Sequence, residues 1–242
     1  MSNLAIAVKS CHKDFDAGFH TAIRETWGKE AKALGLDVFF FMGKDPTQQG
    51  TRALRRYAPG EVVLDVDDSY DELPRKTRGI CKWLTGKLFS HLFLCDNDTF
   101  VRPKQLVQIA YDQFDYAGDF FRNHPGMPPF RYTDERGVPH EECRAWASGG
   151  YGYFISRAAA VVVVEKTPMM WAEDMYVGDA LAPDIDRRIL KAVSIPLKTG
   201  GDNSATEHYP KGPNRPYTPE VLRTAYVHGG FNVLFRKGIL TA

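Results

Sequence analysis

The segment Asp96-Asn97-Asp98 carries the side chains best suited to binding a metal ion. Two carboxylates separated by one residue can converge on a hard divalent cation, which prefers oxygen ligands. The segment directly follows an apolar run, His91–Cys95, that is typical of a buried strand. Aspartate and asparagine are also common in turns, because their side chains bond the local backbone. The metal-site interpretation therefore depends on what the rest of the chain supplies.

Alternating strands and helices would place this segment at the edge of a sheet. Helical spacing of apolar residues predicts a helix over His20–Leu34, and Pro74 opens another that runs to about Phe89. Strands are predicted from four apolar runs: Leu4–Val8, Val38–Met42, Glu61–Asp65 and His91–Cys95. This alternation indicates an α/β fold with a mostly parallel central sheet flanked by helices. In such sheets ligands bind at the carboxyl ends of the strands, where Asp96 follows its strand.

The second half of the chain is less regular. We predict a helix from Pro103 to about Phe114, a short strand at Tyr116–Phe120 and a strand at Tyr151–Ile155. Ser156 is expected to cap the helix that follows. Residues 122–146 are rich in proline, glycine and charge, which predicts a long surface loop. The tail from Lys198 is predicted to consist mainly of loops.

Composition indicates a globular protein and excludes several functions. The chain has 242 residues, 43% apolar and 25% charged, enough to bury a full core. Its net charge of +1 does not support nucleic-acid binding or a polybasic membrane contact. The four cysteines form no CxxC pair, and the apolar runs are too short for a signal peptide or a membrane span. We therefore expect a reduced, cytoplasmic protein without an integral membrane segment.

Two segments of the first half could bind a nucleotide. Arg24 could pair with a phosphate or a carboxylate, or it could face water on a helix that Trp27 anchors in the core. Tyr70 could stack on a base, and Lys76 could neutralise a phosphate. The alternative for that second segment is an acidic loop that simply favours the start of a helix.

Three features of the second half could complete the site. The paired glycines Gly149 and Gly150 would allow backbone to approach a ligand, or they form an ordinary turn. Asp174 could act as a general base, or it could be one of two charges that stabilise a helix N-terminus. His208 or, as a second choice, His228 could complete the metal shell through a neutral imidazole.

Taken together, the segments resemble a known family, the β1,3-glycosyltransferases that include galactosyl- and N-acetylglucosaminyltransferases and Fringe. The resemblance covers about residues 4–180 and rests on five motifs in the same order: Ile23–Trp27, Asp68–Thr77, Asp96–Val101, Ser148–Tyr153 and Glu173–Gly178. It implies one GT-A catalytic domain over residues 1–242, with a Rossmann-like nucleotide-sugar-binding half to about residue 120 and an acceptor half beyond it.

The resemblance also implies an activity. A UDP-sugar would donate a sugar, with inversion, to a hydroxyl of a glycan or glycoprotein, and the linkage would be β1,3. Asp96 and Asp98 would belong to the metal–diphosphate motif, a tail histidine would join them, and Asp174 would be the base. The cation would be Mn²⁺ or Mg²⁺, with an added imidazole favouring Mn²⁺. The nucleotide-binding residues are then Arg24, Tyr70, Lys76, Asp96, Asn97 and Asp98, and the substrate-binding residues are Trp146, Gly149, Gly150 and Glu173.

The chain departs from that family's pattern in ways that leave alternatives open. Asn97 replaces a frequent acidic residue, Ala147 stands where many relatives carry a cysteine, and residues 122–146 match nothing in the family. A metal-dependent phosphohydrolase acting on nucleotides could use the same acidic residues with a histidine. A glycan-binding module without catalysis is the other alternative. The donor sugar, the acceptor and the oligomeric state are not encoded in these motifs.

Overall fold

Strands and helices alternate along the chain in the computed structural model, which describes residues 3–45, 57–121, 123–198, 204–209 and 216–239. The strands are β1 (Leu4–Lys9), β2 (Asp37–Lys44), β3 (Glu61–Asp67), β4 (His91–Asp96), β5 (Thr99–Val101), β6 (Tyr116–Gly118), β7 (Phe120–Phe121), β8 (Phe130–Thr133), β9 (Pro139–Cys143), β10 (Trp146–Ala147), β11 (Tyr153–Ser156), β12 (Ala192–Ser194) and β13 (Thr206–His208). The helices are α1 (His12–Asp16), α2 (Phe19–Glu25), α3 (Trp27–Ala33), α4 (Leu73–Thr85), α5 (Pro103–Leu106), α6 (Arg157–Glu165), α7 (Glu173–Asp186), α8 (Pro219–His228) and α9 (Phe231–Arg236).

A seven-stranded sheet in the order β12-β6-β11-β4-β1-β2-β3 forms the centre. Neighbouring strands are parallel except at β11, which runs antiparallel to both β4 and β6. Helices α2, α3, α8 and α9 contribute to the core on one face, and α4, α6 and α7 to the core on the other. Central strands such as β1 are therefore buried along their whole length. The predicted α/β fold with a mostly parallel sheet is confirmed.

The predicted helix over His20–Leu34 is two helices, because the chain breaks at Thr26. This residue has φ −110° and ψ −119°, and its hydroxyl donates to the carbonyl of Ala22 at 2.7 Å. A side-chain bond of this kind competes with the helical backbone pattern. Trp27 follows the break and is fully buried, as the sequence indicated.

Two predicted elements between residues 103 and 120 are shorter than expected. The helix that Pro103 opens ends at Leu106, and only a 3₁₀ turn, Tyr111–Gln113, follows it. The strand predicted at Tyr116–Phe120 divides after Gly118, because β6 belongs to the central sheet whereas β7 pairs with β10.

The surface loop predicted for residues 122–146 was wrong, because β8 and β9 form an antiparallel hairpin there. The hairpin has its own small core, in which Phe130 and Tyr132 pack on Trp146 and Met175. It therefore lies against the start of α7, beside the predicted base.

The prediction that the tail from Lys198 consists mainly of loops is wrong for residues 216–239, where α8 and α9 lie. Residues 199–203, 210–215 and 240–242 lie outside the described residues. Pro219 starts α8, where a missing N–H has no cost, and the hydroxyl of Thr218 accepts from the backbone of Val221 at 3.3 Å. Gly229, with φ +89°, ends the helix. The helix buries Leu222 and Ala225.

The four cysteines are free thiols. None of the helices in the described ranges has the length and apolar character needed to cross a bilayer. The predicted cellular location stays a prediction.

Candidate active site

A cavity of about 570 Å³ opens at the carboxyl edge of the sheet. Its volume lies within the range of roughly 300–1,000 Å³ that small-molecule sites occupy. The lining comes from the ends of β1 and β4, the segment after β3, the start of α7, the residue His208 at the end of β13 and the β8–β9 hairpin. The segment Asp96–Asp98, which the sequence analysis placed after a buried strand, lies at this edge and lines the cavity.

Three predicted metal ligands meet at the base of this cavity. One ligand atom each from Asp96, Asp98 and His208 lies within 4.8 Å of the others. His208 reaches the group because β13 pairs with β5 in a register that puts it opposite Thr99, and its Nε2 is 3.3 Å from Asp98 Oδ1. Carboxylate oxygens with one imidazole are a donor set that suits Mn²⁺. The residues present therefore fit a divalent cation.

The second-choice ligand His228 lies elsewhere. It is the last residue of α8 and lines a separate cavity with Arg102, Arg236 and Lys237. The structure therefore brings the acidic pair together with His208 and not with His228.

Lys9 is a central residue of the site that the sequence analysis missed. Its side chain is 1% exposed, and its Nζ lies 3.2 Å from Asp96 Oδ1 and also bonds Glu173. Burial alone lowers the pKa of Lys9, but the carboxylates of Asp96 and Glu173 outweigh it and hold the pKa well above its usual value. Burial raises the pKa of Asp96, and Lys9 opposes that rise. The available signal was a lysine at the carboxyl end of an apolar strand.

Glu173 is occupied by protein groups. Its carboxylate accepts from Lys9, from Thr77 Oγ1 at 3.2 Å and from the hydroxyl of Tyr153 at 2.9 Å. The residue is buried. These contacts give Glu173 a structural role under the site, where the sequence had suggested a contact with substrate.

Asp174 lies at the wall of the cavity, in the first turn of α7. One carboxylate oxygen accepts from the backbone of Gly149 at 3.1 Å, and the other accepts from the backbone of Met175 at 2.8 Å. Burial, with the negative charge of Glu173, raises the pKa of Asp174 to about 6, although the two N–H donors oppose the rise. A carboxylate with a pKa near neutrality suits a general base.

The paired glycines are required by the packing of the site itself. A Cβ on Gly150 would lie 3.1 Å from the His208 ring, and one on Gly149 would clash with Glu173. Thr99 Oγ1 donates to the carbonyl of Gly150 at 2.9 Å and holds this backbone next to the metal ligands. Both glycines line the cavity, and their contact with a substrate stays a prediction.

Asn97 and Lys76 line the cavity but hold protein structure together. The Asn97 side-chain amide donates to Asp14 Oδ2 at 2.7 Å. The Lys76 ammonium donates to Asp68 Oδ1 at 2.8 Å and to the carbonyl of Ser10 at 2.6 Å, in a position that is 2% exposed. Burial would raise the pKa of Asp68, but hydrogen bonds from Lys76 and two backbone N–H groups lower it. The charge of Lys76 is therefore already balanced by Asp68, which weakens the prediction that Lys76 neutralises a nucleotide phosphate.

Arg24 does not line the cavity. Its guanidinium lies 2.9 Å from Glu61 Oε1 and 4.7 Å from the centroid of the Phe40 ring. The structure thus favours the alternative in which Arg24 lies on a partly exposed helix face.

Tyr70 and Trp146 both line the cavity. Tyr70 is 64% exposed at the mouth, and Trp146 is buried against Phe130. Tyr132, Asp134 and Trp171 line the same cavity and were not predicted. The first two fall in the predicted loop of residues 122–146, and Trp171 lies just before the motif that contains Asp174.

A mostly parallel α/β sheet with a cluster of two aspartates and a histidine at its carboxyl edge is the combination expected of a GT-A glycosyltransferase. The chain belongs to the Galactosyltransferase family, whose sequence model matches residues 20–191. No curated protein sequence matches the chain significantly. A solved structure of a glycosyltransferase involved in the glycosylation of the major capsid of PBCV-1 is 11% identical, with a TM-score of 0.46, and the match covers 92% of this chain and 97% of that one. Family membership rests on the sequence match.

Proposed function

We propose that this member of the Galactosyltransferase family is a metal-dependent, inverting transferase that moves a sugar from a UDP-sugar to a hydroxyl of a glycan or glycoconjugate, forming a β1,3 linkage. The observation that carries the proposal is the convergence of Asp96, Asp98 and His208 in the same cavity as Asp174. A cation site and a base of raised pKa in one cavity supply the two functions that a single displacement needs.

Asp96, Asp98 and His208 would hold the cation, Mn²⁺ by preference. A bound cation would supply Lewis-acid stabilisation of the negative charge that builds on a leaving diphosphate. Lys9 fixes the orientation of the Asp96 carboxylate from beneath and balances its charge.

Asp174 would accept the proton of the acceptor hydroxyl while the oxygen of that hydroxyl attacks the anomeric carbon of the donor. Its two backbone N–H donors orient the carboxylate and leave its other lone pairs available. One base is sufficient, since a single displacement forms no covalent sugar–enzyme intermediate.

The phosphohydrolase alternative is less well supported. Two-metal sites gather more ligands around the second ion. Within the described residues, the group of Asp96, Asp98 and His208 is the one cluster with metal-binding geometry. Family membership also favours glycosyl transfer, and Asp174 in the cavity argues against a purely glycan-binding module.

The test has two parts. A thermal-shift screen of UDP-, GDP- and TDP-sugars with Mn²⁺ should show stabilisation by the UDP compounds, since a ligand that binds only the folded state raises its stability. Transfer by Asp174→Asn should then fall by about 10²–10⁴-fold, with UDP binding nearly unchanged. Asp179→Asn, an exposed residue on the same helix, is the matched control and should keep normal turnover. Equal turnover in Asp174→Asn would reject the base assignment, and release of free phosphate without transfer would favour the hydrolase.

A further inference from the structure

An aromatic wall, formed by Tyr70, Tyr132, Trp146 and Trp171, borders the cavity near Asp174. Its members come from the 3₁₀ turn Tyr70–Glu72, from β8 and β10, and from the segment that precedes α7. Trp171 stands three residues before Asp174 in the chain. Four aromatic side chains from separate segments thus line the same cavity as the candidate base, as the two pairs Tyr70–Trp171 and Tyr132–Trp146.

Asp134 fixes the position of Trp171 in this wall. Its buried carboxylate accepts from the indole Nε1 of Trp171 at 2.6 Å and lies 2.9 Å from His140 Nε2. It also accepts from the backbone of Arg136 and of Val138, each at 2.9 Å. The hydrogen bonds, that from His140 foremost, hold the pKa of Asp134 well below its usual range. Asp134 therefore stays ionised, and it orients the indole ring from the hairpin.

Contacts across the mouth of the cavity hold the outer part of the wall. The Arg136 guanidinium lies 4.3 Å from the centroid of the Trp171 ring and also pairs with Asp71, the neighbour of Tyr70. The Tyr70 and Trp171 rings are 5.9 Å apart and inclined at 40°. Tyr70 is 64% exposed, so one of these two rings is largely open to solvent.

The inner part of the wall is continuous with the first turn of α7. Trp146 stacks on Phe130 with a centroid distance of 5.6 Å, and both pack with Met175, the residue after Asp174. Apolar rings and a carboxylate that can accept from a hydroxyl therefore line the same cavity. Pyranose rings have such a composition, with a C–H face that aromatic rings attract and hydroxyls at the edge.

The charges nearby restrict which saccharide can bind. Asp134, Glu135 and Asp174 all line the cavity on or near this side. Arg136, the cation beside Trp171, is paired with Asp71. A carboxylate or phosphate on the ligand would meet net negative charge, which disfavours it.

We propose that the aromatic wall is the acceptor platform and that it takes a neutral saccharide, whose apolar ring face stacks on Trp171 and Tyr70 while a hydroxyl points to Asp174. This inference rests on the proposed transferase function and adds the chemical class of its acceptor. The hairpin that carries Asp134 and Tyr132 defines the specificity of the site.

The test measures binding of three methyl glycosides to the full chain with saturating UDP and Mn²⁺. Methyl β-galactoside and methyl β-N-acetylglucosaminide represent neutral acceptors, and methyl β-glucuronide adds a carboxylate. Saturation-transfer NMR should show transfer mainly to the protons of one ring face, and the glucuronide should bind about ten-fold more weakly or worse. Tyr70→Ala and Trp171→Ala should each weaken binding of a neutral glycoside about ten-fold, and Trp171→Phe should weaken it less because it keeps a ring.

Tyr226→Ala, which removes an aromatic ring from α8 outside the cavity, is the control and should leave glycoside affinity unchanged. Unchanged affinity in Tyr70→Ala would overturn the proposal even if Trp171→Ala failed to fold, since Tyr70 is mostly exposed. Equal or tighter binding of the glucuronide, or no response to either neutral glycoside, would also overturn it. UDP binding in the same samples distinguishes a failure of the acceptor platform from a failure of the proposed transferase function. Loss of UDP binding would reject the transferase function and the acceptor platform with it.

Discussion

Lys9 and Asp96 occupy the same register position on neighbouring parallel strands, with Lys9 Nζ 3.2 Å from Asp96 Oδ1. The same ammonium bonds Glu173, the first residue of α7. One buried ammonium group therefore joins the candidate metal-binding segment to the helix that carries Asp174. Without it, several carboxylates would lie together at the base of the cavity with little to balance them.

Replacing Lys9 with methionine should destabilise the protein strongly. The change keeps the volume of the side chain but leaves the buried carboxylate of Glu173 without its cation, and it removes the same cation from the partly exposed Asp96. Removing one partner of a buried ion pair costs about 3–5 kcal/mol, which urea denaturation would detect as a lower midpoint.

A double variant and a surface control make this measurement specific. Lys9→Met with Glu173→Gln should recover part of the loss, since one of the orphaned charges is gone. Lys44→Met breaks a solvent-exposed pair with Asp65, which water screens, and should change stability little. If Lys9→Met and Lys44→Met were equally stable, the buried cation would not hold the site together.

The sequence predicted the two strands whose carboxyl ends form this edge of the sheet, but it did not predict Lys9 as the partner of Asp96. Apolar runs identified β1 and β4, and parallel neighbours bring their carboxyl ends to one edge. The register of β1 against β4 then pairs Lys9 with Asp96. Strand order and register depend on packing over the whole sheet, so no local sequence pattern could predict the Lys9–Asp96 pair.

The choice between two tail histidines predicts contrasting metal affinities. His208→Ala should weaken Mn²⁺ binding by about ten-fold or more, because it removes one ligand of a group of three. His228→Ala is the matched control and should bind Mn²⁺ normally, since His228 lines another cavity. Calorimetric titration of each variant with Mn²⁺ and UDP measures the difference. Normal binding by His208→Ala would remove the histidine from the metal site.

His208 could not be distinguished from His228 on firm grounds before the structure was known. Its position depends on the pairing of β13 with β5, two strands of three residues far apart in the sequence. Short strands of this kind have too little periodicity to be detected. The β8–β9 hairpin was missed for a similar reason, since its four- and five-residue strands lie among prolines, glycines and charged residues.

The rate of transfer should rise with pH through about 6 and then remain level. A base must be ionised to accept a proton, and the pKa of Asp174 is raised to about 6 by burial. Below that pH the carboxylate is protonated, so the logarithm of kcat/KM should fall with unit slope as the pH is lowered. A pH profile at saturating Mn²⁺ measures this midpoint.

The metal ligands also take up protons at low pH, so the profile needs a control. Protons and Mn²⁺ compete for the same ligands, so a ten-fold higher Mn²⁺ concentration should shift a ligand's midpoint by roughly one pH unit. Repeating the profile at that concentration therefore distinguishes titration of Asp174 from titration of a metal ligand. A midpoint that stays in place is expected of Asp174. A midpoint that moves to lower pH as Mn²⁺ increases would assign the titration to a metal ligand.

Adding one methyl group at Gly150 should disturb the metal site without touching a ligand. The new Cβ would lie 3.1 Å from the His208 ring, which is closer than ordinary carbon contacts, and His208 is partly exposed and can turn away. Gly150→Ala should therefore fold normally but bind Mn²⁺ more weakly, by about ten-fold if His208 leaves the group. In a His208→Ala background the glycine substitution should cost little further affinity, because the side chain it displaces is absent. Additive losses in the double variant would mean that Gly150 acts on the site through its backbone and not through His208.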